Sequence, residues 1–252
     1  MFTSCCSSSS EIQNIFNLDC EKYGIFELPK VLNQGQRTMV FEYSEDLVVL
    51  LTMEKEKFQF LENLSDITEA FTVKRIKSKN FPFSPDLENI FLSSFYSCFF
   101  MTKGETFDTF NEESSLFNTF APELNSETII SNTLMDFTSH NFDIVDAHTV
   151  EDLRSSQSDI LSSLNDNILH AIADSHVERM FENNKGFPEP LTKELTSLSK
   201  SLLTSIEDSL KAINEDVTTS DFIIDIHSEQ FVKFNDTIVC IDPVMYDYDS
   251  FI

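Results

Sequence analysis

Residues 221–252 read DFIIDIHSEQFVKFNDTIVCIDPVMYDYDSFI, and the reading of this stretch sets the reading of the rest. Two apolar runs, Phe222–Ile224 and Thr237–Ile241, each end in an aspartate, Asp225 and Asp242. Between them Phe231–Phe234 has the pattern of a short strand, and Asn235-Asp236 is a tight-turn pair. The pattern predicts a strand, a loop opening on a carboxylate, a hairpin, and a second carboxylate just past the hairpin. A hairpin brings its two ends together, so one cleft can receive both acids.

Working back from that stretch, Leu191, Leu195, Leu198, Leu202, Ile206, Leu210 and Ile213 recur every three or four residues. This spacing predicts a long helix over Leu191–Asn214, with its stripe used as core or as a dimer seam. Lys185–Pro190 (KGFPEP) is a break before it. Val150–Phe181 predicts two core helices, on which His170 and His176 lack a partner at metal-ligand spacing and are structural. Residues 105–149 show weak periodicity, with Glu127–Phe137 as the best helix.

Toward the N-terminus the signal turns to strands. Ile25–Leu28, Met39–Tyr43 and Leu47–Thr52 are β-branched and aromatic runs, the last two joined by a turn at Ser44–Asp46. Glu54–Phe71 predicts a helix through Phe58, Leu61, Leu64 and Ile67. Val73–Asn80 (VKRIKSKN) is the basic cluster, read as a strand with solvated charges. Ile90–Phe91 and Phe95–Met101 predict two more strands. Glu11–Glu21 suits a short helix, and residues 1–10 a flexible serine-rich tail.

Composition narrows the function classes. The chain has 252 residues, which suits one domain of two lobes or two small domains, and 41% of them are hydrophobic, enough for a sizeable core. Its net charge of −26 argues against direct nucleic-acid binding and against anionic membranes, and favours a partner with a basic surface. Five cysteines without a Cys-x-x-Cys pair predict free thiols in a reducing cytoplasm, with neither a disulfide framework nor a zinc site. No window is apolar enough for a membrane span, and the first residues lack the basic start of a signal peptide.

Asp225-Ile226-His227-Ser228-Glu229-Gln230, a short hairpin and Asp242-Pro243 resemble the catalytic loop and metal loop of protein-kinase-like folds. The nearest pattern is that of small bacteriophage host-takeover serine/threonine kinases. The resemblance implies a two-lobed α+β fold, with a small β-rich N-terminal lobe over residues 11–103 and a mainly helical C-terminal lobe over 104–252. It implies that Asp225 is the catalytic base, that Asp242 and Gln230 hold magnesium on ATP, and that Gly35 belongs to the glycine-rich loop. Met101–Glu105 would be the hinge that holds the adenine, with Met101 in the nucleotide site. Three positions depart from the family pattern. Asn33 stands for the first loop glycine, Leu50 for the phosphate-gripping lysine, and Gln230 for the metal-binding asparagine. Lys55 and Lys57 follow Leu50, where solvated helix positions are their plainer use.

Two functions follow from the resemblance: a degenerate kinase that binds a host protein in the infected cell's cytoplasm, or a weak Ser/Thr phosphotransferase. A different class is also compatible with the charge. An acidic inhibitor or DNA mimic would block a basic nucleic-acid-binding host factor.

Overall fold

Leu47–Thr52 (LVVLLT) is the central strand of a five-stranded antiparallel sheet in the computed structural model. The structure describes residues 17–35, 37–95, 97–106, 150–159, 162, 189–213, 222–224, 226 and 230–246. The fold is mixed α+β. The chain divides into two compact units, Met1–Lys103 and Gly104–Ile252.

In the first unit the strands are β1 (Val31–Gln34), β2 (Thr38–Glu42), β3 (Leu47–Thr52), β4 (Val73–Arg75) and β5 (Ser97–Thr102), in the spatial order β1-β2-β3-β5-β4. β3 is buried on both faces, from Val48 to Thr52. On one face Val49 and Leu51 join Met39, Phe41 and Cys98 in a core with Leu87, Ile90 and Phe91. Phe91 is the hub of its aromatic part, with ring centroids 5.4 Å from Phe41, 5.7 Å from Phe83 and 5.8 Å from Phe81. Such pairs prefer tilted and edge-on contacts, and the phenylalanine-rich composition is partly spent here. On the other face lies α2 (Lys57–Thr68), whose Phe58 meets Phe99 edge-on at 5.3 Å. α2 stops where Glu69 turns left-handed, at φ 52°, and its N–H bonds the Ser65 carbonyl.

Two predicted strands are absent from this unit. Ile90–Phe91 is not a strand but part of α3 (Pro85–Ser94). Ser84 caps that helix by accepting from the Leu87 N–H at 3.4 Å, Pro85 occupies the first turn, and Asp86 and Glu88 favour its positive end. The run from Ser84 to Phe91 carried those start signals, which outweigh a two-residue apolar pair. Ile25–Leu28 is also not a strand. Residues 17–23 form helix α1, and Gly24 (φ 68°) closes it as the Ile25 N–H bonds the Cys20 carbonyl at 2.9 Å. The chain then runs without ladder bonds past Phe26, 88% exposed, and Pro29, which lacks a donor, before pairing begins at Val31.

The second unit has a sheet of β6 (Glu105–Thr106), β8 (Phe231–Phe234) and β9 (Thr237–Cys240), and a separate pair, β7 (Phe222–Ile224) with β10 (Val244–Tyr246). Residues 150–159 form α4, with Val150 and Leu153 buried and Arg154 donating to the Ile213 carbonyl at 3.2 Å. α5 (Glu189–Ala212) packs on β9 and buries Leu202, Ile206 and Leu210, three residues of the predicted stripe. Its Pro190 lies in the first turn, where the missing N–H costs nothing. The predicted helices beyond residue 159, the segment 107–149 with Glu127–Phe137, and the N-terminal tail lie outside the described residues.

Two serines share the buried face of α5. The Ser209 hydroxyl donates toward the carbonyls of Ser205 and Cys240, which ties the helix to β9. Ser205, equally buried, has no hydrogen-bond partner for its hydroxyl among the described residues. A buried unpaired hydroxyl costs desolvation with no return, and alanine is the better helix former. Ser205→Ala is therefore expected to raise stability by about 0.5–1 kcal/mol in urea unfolding; a loss of the same size would reveal a hidden partner.

Candidate functional site

In the first unit Gly35 lies in the β1–β2 turn, where its N–H bonds the Thr38 carbonyl at 2.9 Å. A Cβ added there would meet only that carbonyl oxygen, at 3.8 Å, an ordinary contact. Asn33, which the resemblance sets against the first loop glycine, sits in β1 beside a register shift, and its Oδ1 accepts from the Gln34 N–H at 2.7 Å.

Leu50 is buried in the middle of β3. Strand register aligns Val40, Leu50, Phe99 and Arg75 in one row across β2, β3, β5 and β4. Phe58 of α2 meets this row, edge-on against Phe99 and with the Arg75 guanidinium 4.1 Å from its ring centroid. Arg75 also donates to the Ser97 hydroxyl at 3.3 Å. The row's cation therefore lies two strands from Leu50, about 10 Å away at ordinary strand spacing, and is engaged by an aromatic face.

Lys55 is exposed, as its helix reading expects, but Lys57 is buried. The first turn of α2 carries Lys57 into the same buried face as Phe58, Phe60, Leu61 and Leu64. Its ammonium is 5.9 Å from the Phe60 ring centroid. Its charge suggested solvent, but positions 57, 61 and 64 fall on one helix face, which is the buried one.

Met101, the predicted adenine-side residue, is buried in β5 opposite Val48 and Val73. The neighbouring N–H groups are taken: Thr102 donates to Thr72 at 3.0 Å and Lys103 to Asp46 at 2.8 Å. The Lys103 ammonium bonds Glu42 at 2.7 Å, and Lys30 reaches the other carboxylate oxygen at 3.1 Å. These two hydrogen bonds, that from Lys103 first, hold the Glu42 carboxyl below the usual carboxylate range.

In the second unit the predicted hairpin is present. β8 and β9 pair from Phe231↔Cys240 to Phe234↔Thr237, and Asn235 turns the corner at φ 53°. The Ile241 N–H bonds the Gln230 carbonyl at 2.8 Å, so the hairpin's open end joins Gln230 to the residue before Asp242. Both Gln230 and Asp242 are half-buried. The β7–β10 pair has Ile224 opposite Val244, which places Ile224 beside the chain just past Asp242-Pro243. Asp225, next after Ile224, lies outside the described residues. Among the described residues no three His, Cys, Asp or Glu side chains cluster as a metal site.

The buried cysteines offer no competing chemistry. Cys20, Cys98 and Cys240 are free thiols, and burial pushes Cys98 up to about 12, where it stays protonated. No described helix is long and apolar enough to cross a membrane.

Comparison with known proteins finds no matching family model, curated protein or solved structure. The chemistry must therefore be judged on the residues themselves. In kinase-like folds a lysine on the third strand grips the nucleotide's phosphates. On β3 the residue that the resemblance compares with that lysine is Leu50, buried between Val40 and Phe99. The Gln230–Asp242 end of the hairpin supplies one carboxylate and one amide, a donor set suited to a hard divalent cation once a second carboxylate joins it.

Proposed function

We propose that the chain is a degenerate kinase-like protein that acts by binding a host protein with a basic surface, not by phosphotransfer. The observation that carries this reading is Leu50. The position that the resemblance reserves for a phosphate-gripping lysine is filled by an apolar side chain that is part of the core. Support for the kinase-like half comes from element order. A hairpin turn with Gly35, a third strand, a helix on the sheet, a strand ending at Thr102, a long helix, a strand before Asp225 and a hairpin before Asp242 follow one another as the resemblance implies. The charge of −26 supports the basic partner.

The test is a thermal-shift titration with ATP, with and without Mg²⁺ or Mn²⁺. The expected result is no saturable, metal-dependent shift at millimolar nucleotide, with partner capture unchanged in Asp225→Ala and Asp242→Ala. A metal-dependent shift that disappears in Asp242→Ala would overturn the binding-only reading and restore phosphotransfer. Absence of a shift together with salt-sensitive competition against DNA for a basic partner would favour the DNA-mimic class instead.

A further inference from the structure

We propose that the open edge of β4 is a docking strand for an extended acidic segment of a partner protein. This goes beyond the reading above, which concerns the chain's acidic surface and a basic partner.

β4 closes the sheet on one side and, among the described residues, pairs only with β5. The bonds from Thr102 to Thr72 and from Ile76 to Cys98 fix which residues face β5. Hydrogen-bonded pairs alternate in an antiparallel ladder, so Lys74 exchanges bonds with Phe100, and the N–H and C=O groups of Val73 and Arg75 point away from the sheet. Those outward groups have no hydrogen-bond partner among the described residues. They are the template that an added strand uses.

The charges along this edge select the strand. Lys74, Lys77 and Lys79 are all exposed, and none makes an ion pair among the described residues. Glu88 accepts from the Ser78 hydroxyl. By contrast Lys30, Lys103, Lys211 and Lys233 are each held by a carboxylate. Lysines on a sheet edge hinder neutral or basic strands from adding, but they favour a strand whose side chains are carboxylates. A second copy of this edge is a poor occupant, because pairing it with itself would set the exposed lysines of the two copies against each other.

The experiment uses the full chain and a fluorescein-labelled peptide of alternating Glu and Val, read by anisotropy. Controls are the same peptide with Lys for Glu, and an acidic peptide of equal charge with proline at alternate positions. The Glu–Val peptide is expected to bind and both controls to fail. Lys74→Glu combined with Lys77→Glu should weaken binding by about tenfold or more. Val73→Pro, which removes an outward N–H while sparing the β5 ladder, should abolish it. Equal binding of the proline-bearing peptide would overturn strand addition and leave charge alone. Failure of the Glu–Val peptide, or self-association of the chain through this edge in its place, would overturn the proposal outright.

Discussion

Gly104→Ala is expected to destabilise the second unit by roughly 2–4 kcal/mol. A Cβ at this position would stand 2.2 Å from Val232 Cγ1, 2.8 Å from Phe234 Cε1 and 3.0 Å from the Lys233 carbonyl oxygen. Two of those atoms belong to side chains on β8 and the third is its backbone. β6 and β8 pair immediately beyond, at Glu105↔Lys233 and Thr106↔Val232, so the clash cannot be relieved without moving the ladder. The measurement is urea unfolding followed by circular dichroism, with Gly35→Ala as the comparison. At Gly35 the new methyl meets ordinary space, and the change should stay within about 0.5 kcal/mol. Equal effects at the two glycines would mean that β8 does not lie against residue 104.

Leu50→Lys, which sets a lysine where the proposed kinase-like reading would have one, is expected to cost about 3 kcal/mol or more and to bring no nucleotide binding. Its side chain would enter the row between Val40 and Phe99, beneath α2, where an ammonium has no water. Burial disfavours the charged form, so the new lysine's pKa in the folded chain falls below its unfolded value of about 10.4. The unfolded chain then binds the extra proton over that interval. Stability of the variant should therefore rise with pH up to about 10, relative to the parent, and the penalty should grow as the pH is lowered and level off below the folded-state pKa. A variant as stable as the parent at pH 7, with a magnesium-dependent ATP shift, would show that the leucine merely replaces a functional lysine.

What could be read from the sequence divides along physical lines. Leu47–Thr52, Phe231–Phe234 and the Asn235-Asp236 turn were legible, because a continuous apolar run and a positive-φ turn residue each leave few alternatives. α5 was legible to within two residues at either end from its stripe. Ser205 and Ser209 were not: hydrophobic periodicity passes over small polar residues, although they let the helix approach β9 closely enough for a side-chain bond to its carbonyl. Ile90–Phe91 was misread because the apolar pair was weighed without the Ser84-Pro85 start ahead of it. Of the candidate site, the hairpin that joins Gln230 to the residue before Asp242 was legible from its strand runs and turn pair. That Leu50 is sealed between two strands and a helix depends on register, and register comes from pairing over long sequence distances that no local pattern encodes.

The placement of β5 between β3 and β4 has a consequence for the chain as it is made. Synthesis delivers β1, β2 and β3 in spatial order, so this meander can pair as it emerges. β4 appears next, yet its one neighbour is some twenty residues short of completion, beyond α3. Until Ser97–Thr102 leaves the ribosome, β3 keeps a bare edge and the Phe58 side of α2 has no Phe99 to close on. The nascent first unit thus passes through an interval with two unpaired strand borders and an uncovered apolar face, the form in which chains are captured by chaperones or by one another. A translational pause that holds Ser97–Thr102 inside the ribosome would lengthen that interval, and one that falls after the strand has emerged would let it close.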